Sequence, residues 1–461
     1  MRAWGVEGGK VIGTAEGQIP PPGRPTPEIA PEIAGDNARG RWDTAGVIAS
    51  VGMAAAGCAA DVTSHATRKP RMPASDLSTA REILTHLVAF DTTSHKTNIP
   101  MAEWVRDYLA RHGVESRFVP ADNGIHTSLF ATIGPAGDGG IGLSGHMDVV
   151  PVVGQPWDTD PFTVTERDGR LYGRGTCDMK GFVACVLAMV PDLKARPLSM
   201  PVHILLSYDE EVGCTGVQPM IAEFGHTLPK PRLVFVGEPS TMQVVDAHKG
   251  GYRFRTDITG KDAHSSKPQL GVGSIRIAAQ LIEELGRIEE RLKARHQNVR
   301  FDPPYASITV SSIEGGVAHN IIPPTCSFTW GVRALPGTDA LGIARDLQSF
   351  AERALLPDMR AVWPDCAIET TTLGVLPPFS SEDDTEATTL ALKLAEQNET
   401  YAVPYGTEAS HFQAAGCSSV ICGPGHIDQA HQPNEFVDIA ELERCLVFLH
   451  RVADWATRGA A

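Results

Sequence analysis

No two of the nine cysteines form a C-x-x-C pair, and they are scattered along the chain. That spread argues against a disulfide framework and for free thiols in a reducing, cytoplasmic compartment. Positive charge is also in short supply: 40 Lys and Arg stand against 55 Asp and Glu, a formal net charge of -15. A chain of that sign carries no electrostatic footprint for nucleic acid, and it is disfavoured at an anionic membrane surface. No stretch approaches the roughly 18 apolar residues of a membrane span. What remains is a chain of 461 residues, 42% hydrophobic and 21% charged. That is ordinary globular composition, with length for two or three domains.

Residues 1–75 differ from the rest. "GQIPPPGRPTPEIAPEIAGDNARGRWD" is rich in Pro and Gly and has no helical or strand period, so it reads as a disordered extension. The apolar run 46–60 has the look of a signal h-region, but the polar stretch before it is too long. A loose tail, or translation from Met72, is the simpler expectation. From residue 76 onward, helical periods ("DLSTAREILTHLVAF", "MAEWVRDYLARHG") alternate with short apolar runs ("GIGLSGH", "PVHILLSY", "PRLVFVGE", "SSVICGPG"). Runs of that kind read as strands covered on both faces, and the alternation predicts an α/β sandwich over 76–246 and 376–461.

Between 247 and 375 the rhythm changes. "GYRFRTDITG" alternates Tyr252, Phe254 and Ile258 with Arg253, Arg255 and Asp257. "SIRIAAQLIEELGRIEERLKAR" has one apolar stripe, and two more alternating strands, a helix and a last strand follow. The order β-α-β-β-α-β predicts a ferredoxin-like domain inserted into the larger one.

The apolar runs end in polar breaks of one chemical kind. His146 and Asp148 follow the first, Asp209, Glu210 and Glu211 the second, Glu238 the third, and His426 and His431 the fourth. Asp178 lies in a Gly-bounded turn between the first two. Ligands of open α/β sheets bind beyond the carboxyl ends of the strands. Singly, each residue has an ordinary explanation: a helix-dipole carboxylate, an N-cap, a turn residue, a partly buried histidine. Jointly they do not, because carboxylates gathered at one place repel each other unless a cation holds them. Two histidines with three or four carboxylates suit two zinc-like ions.

The segments "SGHMDVVPV", "GRGTCDMKGF", "DEEVGCTG", "GEPS", "GKDAHSS" and "GPGHIDQAHQPNEF" resemble, in order and spacing, the M20 family of co-catalytic metallopeptidases and deacylases, over roughly 76–461. "TCDMKG", "YGTEASHF" and "IDQAHQPNEF" point to its deacetylase subgroup. The resemblance implies two divalent ions, zinc with cobalt as an option. His146, Asp178 and Glu238 would hold the first ion, and Asp178 would bridge to the second, held also by Glu211 and His431. It makes Glu210 the general acid/base and Asp148 the carboxylate that orients His146. His264 would help bind the tetrahedral intermediate across a homodimer formed by the inserted lid domains. Asn320 and Arg333 match positions on the substrate carboxylate, and Glu408 one that receives a cationic side chain or the amine. Read from residue type alone, Arg333 is equally a solvated strand residue and Glu408 a helix-start carboxylate. His319, His411 and His426 read as structural, and Cys177 has no assigned part.

The implied reaction removes the N-acetyl group from N2-acetyl-L-ornithine, giving L-ornithine and acetate for arginine biosynthesis. Sister activities keep the same metals and base: desuccinylation of N-succinyl-diaminopimelate, broad aminoacylase action, or dipeptide hydrolysis. A metal-binding protein without catalysis is the alternative of another class, and Glu210 beside a full donor set argues against it.

Overall fold

The computed structural model describes residues 74–458. The expectations for the N-terminal extension, its apolar run and a start at Met72 lie outside the described residues. The described residues form one compact unit.

The larger sheet has nine strands. At its centre Val202–Ser207, Ile141–His146, Leu233–Pro239 and Ser418–Gly423 run parallel and side by side. Each of the four is buried along its whole length. Period-two alternation explains why an unbroken apolar run is needed here. Ile204, Leu206, Leu233, Phe235 and Val420 face the layer holding the helices Lys180–Ala188 and Ile439–Arg458. Leu205, Val234, Val236 and Ile421 face the opposite layer with Val217, Met220 and Phe412. Antiparallel strands extend the edges: Thr127–Ile133 and Ser116–Pro120 on one side, Val245–His248 with Phe379–Ser380 on the other. None of these four, nor the small sheet of Thr165–Arg167, Arg170–Tyr172 and Phe436–Asp438, stands out in the apolar pattern.

The second sheet has four antiparallel strands, with Gly250–Thr259 and Thr325–Ala334 central and Ser307–Gly315 and Ala367–Leu376 at the edges. Its core joins Phe254, Phe328 and Trp330 to Ala278, Leu281, Leu285 and Ile288 of the helix Ser274–Arg295. The helix Ala340–Phe350 begins at Asp339, whose carboxylate accepts the Gly342 N–H at 2.7 Å. Arg253 and Arg255 are exposed while Phe254 is buried, as alternation requires. The segment 180–196 forms two helices, Lys180–Ala188 and Val190–Ala195, separated at Met189, with Pro191 in the first turn of the second.

Candidate metal centre

Because the four central strands are parallel, their carboxyl ends open at one edge of the sheet, and the polar breaks meet there. His146, the last residue of its strand, is wholly buried. Its Nδ1 lies 2.9 Å from the main-chain oxygen of Asp148. A carbonyl only accepts, so Nδ1 carries a proton there, and Nε2 is the ring atom turned to the carboxylates. Nε2 faces Asp178 Oδ1 at 3.0 Å and Glu238 Oε1 at 3.7 Å. The other Asp178 oxygen is 3.3 Å from His431 Nε2, which is also 2.8 Å from Glu211 Oε2. Asp178 therefore stands between two imidazoles, one carboxylate oxygen toward each.

Glu210 and Glu211 lie past the end of their strand, which stops at Ser207. Strand alternation therefore does not aim them. The chain turns at Asp209, at φ 55°, and the Asp148 carboxylate accepts the N–H of Glu210 at 3.2 Å and of Glu211 at 3.3 Å. Ser94 Oγ donates to the same carboxylate at 2.7 Å. His146 Nδ1 is 3.5 Å from it, farther than from the Asp148 main-chain oxygen. The carboxylate of Asp148 thus acts mainly on the 210–211 turn, and its carbonyl holds His146. Across the turn the Cys214 thiol donates to Glu210 Oε1 at 3.0 Å. From the inserted sheet, Arg253 donates to the Val212 carbonyl at 2.7 Å.

The electrostatics are those of a site made for cations. Burial and the neighbouring carboxylates push Glu210 up to about 8 and Glu211 up to about 7. Glu211 rises in spite of its contact with His431, because burial and Asp178 outweigh that contact. Glu238 is driven well above the carboxylate range by burial, with Asp178 and Glu210 adding to it. Burial opposes ionisation of Asp178 too, yet hydrogen bonds from His146 and His431 hold it below the usual range. Hydrogen bonds to Asp178 and Glu211 raise His431 to about 10. Glu238 Oε1 is buried and has no hydrogen-bond partner. Carboxylates that hold protons this tightly, beside an orphaned oxygen, lack a counter-charge that divalent ions would supply. Donor atoms of His146, Glu210 and Glu238, and of His146, Asp178 and Glu211, lie within 4.8 Å of one another. Nitrogen and oxygen donors in this mixture fit zinc-like ions.

The remaining expected residues lie apart. His264 is exposed on the inserted unit, its Nδ1 2.7 Å from Ser266 Oγ. His264 bridges Ile321, the residue after Asn320, and the Ser265 N–H donates to the Asn320 carbonyl at 3.0 Å. Arg333 is exposed beside Gly251 at the root of the same sheet. Among the described residues, no hydrogen bond or ion pair joins these three to the carboxylate cluster. Glu408 is 1% exposed, behind His146, with Oε2 accepting from Ser144 at 3.3 Å. Burial raises its carboxyl to about 7. The expected acceptor of a substrate cation therefore has no open face here. Cys177 donates to the His426 carbonyl at 3.4 Å, and His426 and His319 are exposed.

Residue types alone do not reveal Tyr405, Gln155, Arg174 and Glu435. Tyr405 donates to the Pro239 carbonyl at 2.9 Å. Glu435, next to Asn434 in "QPNEF", accepts from the N–H groups of Gly175, Cys177 and Asp178.

A profile of peptidase family M20/M25/M40 matches residues 142–455. An acetylornithine deacetylase of Proteus mirabilis is 36% identical over 358 residues, 77% of this chain and 89% of the relative. One of Myxococcus xanthus is 34% identical over 380 residues, 81% and 97% of the two chains. Among solved structures, an aminopeptidase of Bacillus cereus superposes with a TM-score of 0.65 at 18% identity, covering 83% of this chain and 99% of its own. A dinuclear metal-binding M20 peptidase of Bacillus subtilis gives 0.60 at 17%, covering 82% and 97%. Sequence, fold and donor set agree: the chain belongs to peptidase family M20/M25/M40 and is a metal-dependent amide hydrolase.

Proposed function

We propose that the chain removes the N-acetyl group from N2-acetyl-L-ornithine, releasing L-ornithine and acetate. The observation that carries the chemistry is Asp178, one oxygen toward His146 and the other toward His431, with Glu211, Glu238 and Glu210 around it. The substrate rests on the names of the relatives. His146, Asp178 and Glu238 would hold one ion, and Asp178, Glu211 and His431 the other, zinc or cobalt in each case. Bound there, the ions polarise the scissile carbonyl and make water a stronger acid.

Glu210, half-buried, takes the proton as water attacks the acyl carbon and delivers one to the leaving amine. Asp148 and Cys214 keep its turn and its carboxylate in place. Arg333, with Asn320, binds the α-carboxylate, since a guanidinium matches a carboxylate in two places. His264 reaches the reacting centre from the inserted unit of a second copy, and we propose 247–375 as the lid and dimerisation domain. The eight described cysteines are free thiols, which supports a reducing cytoplasm. No helix among the described residues is long and apolar enough to cross a membrane.

One observation favours a second reading, a broad N-acylamino-acid hydrolase: the closed position of Glu408. The two part on one comparison. N-acetyl-L-ornithine should exceed N-acetyl-L-norvaline, which has the same carbon chain without the amine, by about tenfold in kcat/KM, the size of one charge-assisted contact. Equal values would give the broad hydrolase. Glu210→Gln should retain both ions and lose about 10²–10⁴-fold in kcat. Wild-type turnover in that variant would remove the acid-base assignment.

A further inference from the structure

Glu435 is 1% exposed, and among the described residues its hydrogen bonds go to the loop that ends in Asp178. Its Oε1 accepts from Cys177 N at 2.9 Å and Asp178 N at 3.1 Å, and its Oε2 from Gly175 N at 3.0 Å and Arg174 Nη1 at 2.6 Å. Its own carbonyl accepts the Gly173 N–H at 2.9 Å. Arg174 is equally buried and turns its second amino group, Nη2, to Gln155 Oε1 at 2.6 Å. The amide nitrogen of Gln155 donates in turn to the main-chain oxygen of His431 at 2.9 Å. The chain of contacts runs from the backbone of Asp178 to the backbone of His431 without a break.

We infer that Glu435, Arg174 and Gln155 form one hydrogen-bonded brace that sets the separation of Asp178 and His431, and so the affinity for the second ion. A buried ion pair is weak evidence for stability, because desolvation consumes most of what attraction returns. The Arg174–Glu435 pair is better explained by the position it imposes. His431 needs such help: its imidazole is half exposed and its backbone sits at φ 63°, in a loop rather than in a sheet. Asp178 needs it as well, since Gly175 bends the loop at φ 82°, where an added Cβ would come within 2.8 Å of Val149. Glu435 takes up three N–H groups of that bend, which would otherwise be buried without partners.

The inference rests on the reading that Asp178 and His431 share an ion, and the test separates the two. Chelator-stripped protein is titrated calorimetrically with Zn²⁺, and bound ions are counted by elemental analysis. Wild type should take up two ions. Gln155→Leu breaks the link to His431, together with the acceptor of Arg174 Nη2 and Trp157 Nε1, but leaves the Glu435 contacts to the Asp178 loop, so the first ion should bind as in wild type and the second about 10–100-fold more weakly. Glu435→Gln keeps the volume and removes the charge, and it should weaken both ions, the second more. Should Glu435→Gln not fold, the partly exposed Gln155 still decides the matter. Two ions at wild-type affinity in folded Gln155→Leu would overturn the brace. Fewer than two ions in wild type would overturn the shared-ion reading and the brace with it.

Discussion

Asp148→Asn separates two accounts of a carboxylate that sits two residues from His146, a proposed metal ligand. In one, the carboxylate orients the imidazole. In the structure the imidazole is held by the Asp148 carbonyl at 2.9 Å, which the substitution leaves alone. The carboxylate takes the N–H groups of Glu210 and Glu211 and the Ser94 hydroxyl. Asn preserves the shape but offers one oxygen, so its amide NH₂ must face either the Glu210 N–H or the Glu211 N–H. One charge-assisted hydrogen bond is lost, about 1.5–3 kcal/mol, and a buried donor is left facing another donor. If that energy is what fixes the turn, kcat should fall by roughly 10–150-fold. Ion binding distinguishes the accounts. Glu211 rides on the turn, so the second ion should weaken, while the first, near His146, should not. Calorimetric titration of the stripped variant reads both steps. Weakening of the first ion alone would refute the role assigned here and restore the imidazole-orienting one. Ser94→Ala serves as a control and should cost no more than about 1.5 kcal/mol of stability.

Cys214→Ala removes the thiol that donates to Glu210 and should lower kcat about 2–10-fold at unchanged KM, with Cys214→Ser restoring most of it. An alanine variant at full kcat would show that the thiol is idle. Arg253→Ala removes the side-chain hydrogen bond that, among the described residues, joins the inserted sheet to the turn carrying Glu210, and kcat/KM should fall about tenfold with ion content unchanged. An unaltered kcat/KM would mean that the turn is set from the larger unit alone. Burial lowers both His203 and His248 to about 4 in the folded chain. Each is depressed below its unfolded value, so its contribution is complete above about pH 6.5 and is lost as pH falls toward 4, to a limit of about 3 kcal/mol apiece. Unfolding measured at pH 7.5 and 5 should show His203→Gln flattening that slope, and an identical slope would sink the assignment.

The parts of the fold that read directly were those where burial leaves a sequence period. Ile141–His146 and Leu233–Pro239 are buried on both faces and appear as unbroken apolar runs. Gly250–Thr259 has one wet face and alternates. The convergence of His146, Asp178, Glu211, Glu238 and His431 was visible because parallel strands must open at one edge. The edge strand Ser116–Pro120 was not, since partial exposure leaves it no clean period. Glu210 is aimed by the turn at Asp209 and the two N–H groups on Asp148, not by strand alternation. Glu408 was expected to be reachable, but it is enclosed by residues such as Ser144, 264 positions away in the chain. Neither a backbone turn nor a neighbour so distant in sequence has a local signature.

Two carboxylates, one expected at the site and one not, share a physical role that residue type does not reveal. Asp148 and Glu435 are both buried carboxylates whose acceptor capacity is used largely on backbone N–H groups of a turn. Each turn carries a proposed donor for the ions: Glu211 on the first, Asp178 on the second. The ligand-bearing segments need this because they leave the sheet before reaching the site, and a loop loses the ladder hydrogen bonds that fix a strand. A carboxylate suits the task better than an amide, since it accepts at two oxygens and donates nothing. It carries a cost, because each adds negative charge beside a cluster already crowded with it. Arg174 answers that charge at Glu435. At Asp148 the nearest answering group is His146, and a bound ion beside that histidine would complete the compensation. Ion binding and the order of the 210–211 turn are therefore linked, and anything that strips the ions should loosen the turn that carries the proposed base.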